Sequence, residues 1–253
     1  LKIRDSQEML DGQGIGNALY GLMNILCSVT SFELVSCSEI ELEVEVYISM
    51  FLKLLGSFDV LLDTDFDSKM NVFDLQDILR VMKLSLHFLE DERIITGLTW
   101  KVKRLQELLD TRRSLESEKK TFQSLTEGRF YRCIQSMISS SAHLKAHYKV
   151  SHNDFLDSCF EGDIIISTVG GEIPVVYNIE IDGPSHLQPK TKRLCFYRDA
   201  YLMESCGIQV ARIPIGRSQS KGKSDSEVEI LARRALVELN ILDKESSDSI
   251  RGL

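Results

Sequence analysis

Apolar residues recur at helical spacing through the first half of the chain and give way to short β-branched runs in the second. Over 8–28, Leu10, Ile15, Ala18, Leu19, Leu22, Ile25 and Leu26 predict an amphipathic helix. Its glycines Gly12, Gly14, Gly16 and Gly21 each cost about 1 kcal/mol relative to alanine in an isolated helix, so they predict a close crossing by a second one. The segment 38–57 supplies that partner, with Ile40, Val44, Val46, Tyr47, Met50, Phe51 and Leu54 in a stripe ended by Gly56. An acidic loop is expected from Asp59 to Asp67; it lacks the glycine and closing glutamate of an EF-hand, which excludes that calcium loop. A third helix follows over 72–89 and a fourth over 91–113. Phe73-Asp74-Leu75-Gln76-Asp77-Ile78 echoes Leu10-Asp11-Gly12-Gln13-Gly14-Ile15, apolar-Asp-x-Gln-x-Ile in both. Self-similar helical pairs predict a solenoid-like stack of hairpins.

Polar residues 114–127 form the expected linker, followed by a helix from Arg129 to Tyr148. After His152 the period changes. Asp163–Ser167 reads as a strand, Gly170-Gly171 as a hairpin and Ile173–Ile181 as a second strand. A helix over 191–205 stops at Gly207, Ile208–Pro214 gives a third strand, and a final helix spans 225–240 beyond the Ser/Gly/Lys-rich loop 217–223. The expected organisation is therefore α+β and multi-domain, with helical hairpin repeats over 1–127 and an α/β domain over 128–253.

Charge changes this picture more than bulk composition does. Residues 1–99 hold 17 acidic against 7 basic side chains, residues 100–150 hold 5 against 11, and the remainder 16 against 12, within a net charge of −8. That total excludes a protein that coats nucleic acid indiscriminately, and the basic middle suits a local contact. No apolar run reaches the roughly 18 residues of a membrane span, so no membrane partner is expected. Six cysteines without a CxxC pair predict reduced thiols in an intracellular compartment and no zinc site. His143 and His147, four apart, with His152 beyond, find no further ligands in the pattern and read as exposed helix histidines. The opening Leu1-Lys2-Ile3-Arg4-Asp5 is neither an initiator methionine nor a signal peptide, as in a processed or partial chain.

The densest chemistry lies in Val175–His186. Glu180 and Asp182 are two apart on a strand and share one face, so their repulsion must be offset by a cation, a basic partner or a raised pKa. Gly183-Pro184 then turns the chain and presents His186 beside them.

Ile179-Glu180-Ile181-Asp182-Gly183-Pro184-Ser185-His186, then Lys192, Arg193 and Arg198 on a helix, then Gly207–Pro214, resemble the RAP domain. Asp163 sits where that family often has an aspartate on the preceding strand. The connection Leu187–Lys190 is shorter than the family's polar loop. Asp11–Leu22 is similar to helices of the repeat proteins that precede RAP domains. The resemblance covers about 160–215 and implies a restriction-endonuclease-like fold, RNA binding and an organellar setting. The setting would be a mitochondrion or alternatively a plastid, with a role in the organellar ribosome or in RNA maturation. RNA, ribosomal RNA in particular, and neighbouring ribosomal or RNA-processing proteins are the partners so implied.

The residues then admit three readings. In an RNA-binding domain, Glu180 and Asp182 accept hydrogen bonds from base edges or 2′-hydroxyls, or pair with Arg193 and Arg198. His186 and Tyr197 offer stacking faces, and Lys192, Arg217, Lys221 and Lys223 join the arginines on phosphates. In a metal-dependent endoribonuclease, Asp163, Glu180 and Asp182 hold Mg²⁺. The lysine expected two positions after Glu180 is replaced there by Asp182, so no catalytic set and no cofactor is assigned. The third reading is assembly, in which the acidic helices of 1–99 dock on basic protein neighbours; beside all three stands the plain alternative that Glu180 and Asp182 merely hold arginines of the following helix in place.

Overall fold

The computed structural model describes residues 12–30, 38–63, 72–115, 124–215 and 224–243. Among them lie eight α-helices and a four-stranded mixed sheet, an α+β composition. The chain divides into two compact units, Leu1–Ser117 and Glu118–Leu253. That division falls inside the polar stretch 114–127.

The first unit is helical: α1 (Gly12–Thr30), α2 (Ser38–Asp63), α3 (Val72–Phe88) and α4 (Glu92–Leu115). Helix α1 packs on α2 and α3, and α4 packs on α3 and α2, so two helix pairs lie side by side. Phe73–Ile78 lies within α3 and the described part of its echo, from Gly12, lies in α1; Leu10 and Asp11 are outside the described residues. Leu19, Met23 and Leu26 of α1, Phe51 and Leu55 of α2, Leu75, Ile78 and Leu79 of α3, and Leu98, Leu105 and Leu109 of α4 are buried together. The neighbour of Gly16 is α3 rather than the expected 38–57, and a Cβ there would lie 3.4 Å from Ile78 Cγ1, an ordinary contact that does not require glycine. Gly21 faces open space instead. Helix α2 runs through Gly56 to Asp63, so the expected acidic loop begins as helix; its remainder lies outside the described residues.

The second unit opens with α5 (Leu125–Ser140), four residues earlier than the apolar stripe suggested. Ser124 accepts from the Glu127 N–H while Glu127 reaches back to the Ser124 N–H, a capping box that fixes the start. The expected long helix 129–148 is broken at Ser141, which caps the short α6 (Ala142–His147). The chain then enters a strand that periodicity did not disclose, β1 (Tyr148–Asp157), so Tyr148, Lys149 and His152 are strand residues. Next come β2 (Phe160–Thr168), β3 (Val176–Asp182), a 3₁₀ turn (Pro184–Leu187), α7 (Pro189–Cys206), β4 (Gln209–Pro214) and α8 (Asp225–Glu238).

Sheet order is β1-β2-β3-β4, antiparallel across the first two pairings and parallel between β3 and β4, which α7 connects. Strand alternation sorts the faces. Ile164, Ile166, Ile179, Ile181, Ala211 and Ile213 form one core with Phe130, Ile134 and Ile138 of α5 and Val228, Ala232, Ala235 and Leu236 of α8. The opposite face of β3 carries Asn178, Glu180 and Asp182 beneath α7. Gly207, at φ 68°, ends α7 in the left-handed conformation that glycine adopts without strain.

Candidate nucleic-acid interface

The register of β3 on β4 places Arg212 directly across from Glu180. Both point away from the isoleucine core, so the sheet itself brings a guanidinium onto the acidic face. Arg212 Nη1 donates to Asp182 Oδ1 at 2.6 Å, while its Nε and Nη2 donate to the two carboxylate oxygens of Asp199 at 2.6 and 2.9 Å. Arg198, one residue earlier on α7, reaches Glu180 Oε2 at 2.9 Å and Asp199 Oδ1 at 3.2 Å. The other oxygen of Glu180 accepts from Asn178 Nδ2 at 2.7 Å. Glu180 is 3% exposed, so both oxygens are satisfied inside the protein.

These contacts assign the charges. Arg198 and Arg212 face Glu180, Asp182 and Asp199, two cations among three anions. Burial works against the charge of Arg212, yet the hydrogen bonds it donates to Asp199 and the charges of Asp199 and Asp182 hold its pKa above the ordinary arginine value. Asp163 stands at the margin of the network. Its Oδ2 accepts from the Ile181 N–H at 2.7 Å, while burial and then the neighbouring Glu180 push its carboxyl up to about 7. A proton on Asp163 relieves the repulsion that two adjacent buried carboxylates would otherwise sustain.

His186 closes the rim. Its Nδ1 lies 3.1 Å from Asp182 Oδ1 and 3.5 Å from Cys195 Sγ. Both neighbours meet the same ring nitrogen, so cysteine, imidazole and carboxylate are not in series as a nucleophilic relay requires. Burial also raises the Cys195 thiol pKa, which disfavours the thiolate.

The donor set does not suit a divalent metal. Among the described residues no group of three or more His, Cys, Asp or Glu side chains is placed to hold one. The physical reason lies in the pairing: Arg198 stands on Glu180 and Arg212 on Asp182, and Asp163 is biased towards its neutral form. The guanidinium groups take the place that a cation would need. The histidines diverge too. His143 and His147 on α6 have ring centroids 4.3 Å apart and planes tilted by 42°, while His152 lies on β1 edge-on to Tyr131 at 4.8 Å.

The outer surface of α7 has a different character. Lys192, Arg193, Phe196 and Met203 recur at helical spacing and are exposed, Phe196 at 67% and Met203 at 50%. Tyr197 is half-buried and its ring meets that of Phe196 edge-on, 5.8 Å between centroids. The sequence-predicted residues thus separate into two sets. Glu180, Asp182, His186 and Arg198 are gathered in the internal network, with Asp163 at its margin, whereas Lys192 and Arg193 face solvent and Tyr197 flanks them. Arg193 is not among the carboxylate partners; Arg212 takes that place. Arg217, Lys221 and Lys223 lie outside the described residues.

Four participants escaped the sequence reading: Asn178, Asp199, Arg212 and Phe196. Arg212 carried a usable signal, since a charged residue amid Ile208, Val210, Ala211 and Ile213 on a sheltered strand demands an internal counter-charge. Phe196 had none, because helical position alone does not say which face a short βαβ crossover leaves outside.

No family model, no curated protein and no solved structure matches the chain.

Proposed function

We propose that the Glu118–Leu253 unit is an RNA-binding module of the RAP type. It serves in a mitochondrion as a structural component of the ribosome or as an RNA-maturation factor, with ribosomal RNA as its principal ligand and a repeat-type helical region before it. The observation that carries this reading is the division of α7 into two faces. Inward, Arg198 and Asp199 are locked to the sheet; outward, Lys192, Arg193 and Phe196 present two cations beside an aromatic ring. Cations answer phosphates, and an exposed ring stacks on an unpaired base without demanding a particular one. The acids of the signature then act as positioning residues that hold the helix at a fixed height over the sheet. Cleavage is disfavoured because the same acids are spent on arginines.

The test is binding of a fluorescently labelled single-stranded RNA as a function of salt. Lys192→Gln/Arg193→Gln removes two phosphate partners and lowers the log–log salt slope by about 1.4. Phe196→Ala costs about 1–3 kcal/mol of affinity from lost stacking. Wild-type affinity and slope in both variants sink the assignment of this face.

A further inference from the structure

Helix α4 carries an aromatic–basic surface of its own, on the other unit. Trp100 is the only tryptophan of the chain and stands 50% exposed. Lys103 and Arg104, three and four residues on, are exposed on the same side of the helix. The opposite side carries the buried Ile94, Leu98, Leu105 and Leu109, which fixes α4 against its neighbours and leaves this stripe outside. Arg104 meets Glu107 only at 3.7 Å between half-exposed side chains, a contact that competes weakly with another anion. Lys101 is buried and its Nζ stands 4.3 Å from the indole centroid, so it takes one face of the ring and a base would stack on the other; residues 1–99 hold 17 acidic against 7 basic side chains. Two exposed cations one turn beyond a half-exposed ring therefore follow an acidic region.

We infer that the Trp100, Lys103 and Arg104 face of α4 is a second contact for single-stranded polynucleotide, with one base stacked on the indole and adjacent phosphates met by the two cations. The inference extends the RNA-binding reading to the other unit and shares with it only the class of partner. A duplex hides its base faces and meets this stripe through phosphates alone, so a single strand is the ligand that uses all three side chains. An acidic peptide would engage the cations and gain nothing from the ring.

The test uses the intact chain and the emission of its lone tryptophan. Titration with a short oligoadenylate should quench Trp100 saturably, while a matched duplex and polyglutamate should not. Trp100→Ala weakens oligoadenylate binding about five- to hundredfold, measured by anisotropy of a labelled strand, and Trp100→Phe restores part of the loss. Lys103→Gln/Arg104→Gln weakens it about tenfold and shifts the quenching curve to higher concentration. Lys192→Gln/Arg193→Gln leaves the quenching in place. Oligoadenylate binding that leaves the indole emission unmoved, with α4 variants at wild-type affinity, overturns this inference and spares the α7 assignment. Quenching by polyglutamate overturns it in favour of a protein partner, and absence of binding by either measure overturns both assignments.

Discussion

Asp163 is the carboxyl of the acidic face whose protonation the fold alters, through burial first and Glu180 second. Burial and Glu180 raise its pKa from 3.8 to about 7, so between those values the unfolded chain releases a proton that the folded chain retains. Folding stability contributed by this residue is therefore fully present below about pH 4 and declines as pH rises towards 7, the opposite of a salt-bridged carboxylate. Asp163→Asn keeps an oxygen for the Ile181 N–H and removes the titration. Urea unfolding across pH should show the variant matching wild type near pH 4 and exceeding it by about 1–3 kcal/mol at pH 8. Parallel wild-type and variant profiles would mean that neither burial nor Glu180 shifts the Asp163 carboxyl.

At the scale of elements, α7 is held to the sheet by Arg198 and by the Asp199–Arg212 pair, two ties on adjacent residues. Arg198→Met leaves Glu180 buried with Asn178 alone and should cost about 3–5 kcal/mol in urea unfolding, while Glu180→Gln/Arg198→Met recovers most of it. Additive losses would mean the two side chains are not coupled. Most helices and three strands were legible because their apolar residues keep one period. Strand β1 was not, because an edge strand need satisfy only one apolar side. Its Tyr148 and Val150 pack on the core while Lys149, Ser151, Asn153 and Asp154 interleave polar groups, and Asn153 at φ 45° breaks the regular geometry. The start of α5 was legible in Ser124-x-x-Glu127 but was masked by a polar first turn. Glu180, Asp182 and His186 could be grouped from sequence because a strand and a tight turn fix their separation. Arg212 and Asp199 depend on strand order and register, which local pattern does not encode.

For the molecule as a whole, a net charge of −8 repels polyanions on average, so any RNA contact must be local and strongly salt-dependent. The same charge would draw divalent cations, and specific capture has to be separated from screening. A cation bound by Asp163, Glu180 and Asp182 would have to displace Arg198 and Arg212 from their carboxylates, losing buried ion pairs to form new bonds. A metal held specifically by the folded state raises Tm with its concentration beyond any ionic-strength effect. The expected outcome is that Mg²⁺ or Mn²⁺ shifts Tm no more than sodium chloride at matched ionic strength, that EDTA changes nothing, and that RNA incubated with the protein stays intact. A Mn²⁺-specific rise in Tm accompanied by RNA cleavage that Asp182→Ala abolishes would reassign the acidic network as a metal centre. The arginines would then be gates that yield to the ion rather than its permanent substitutes.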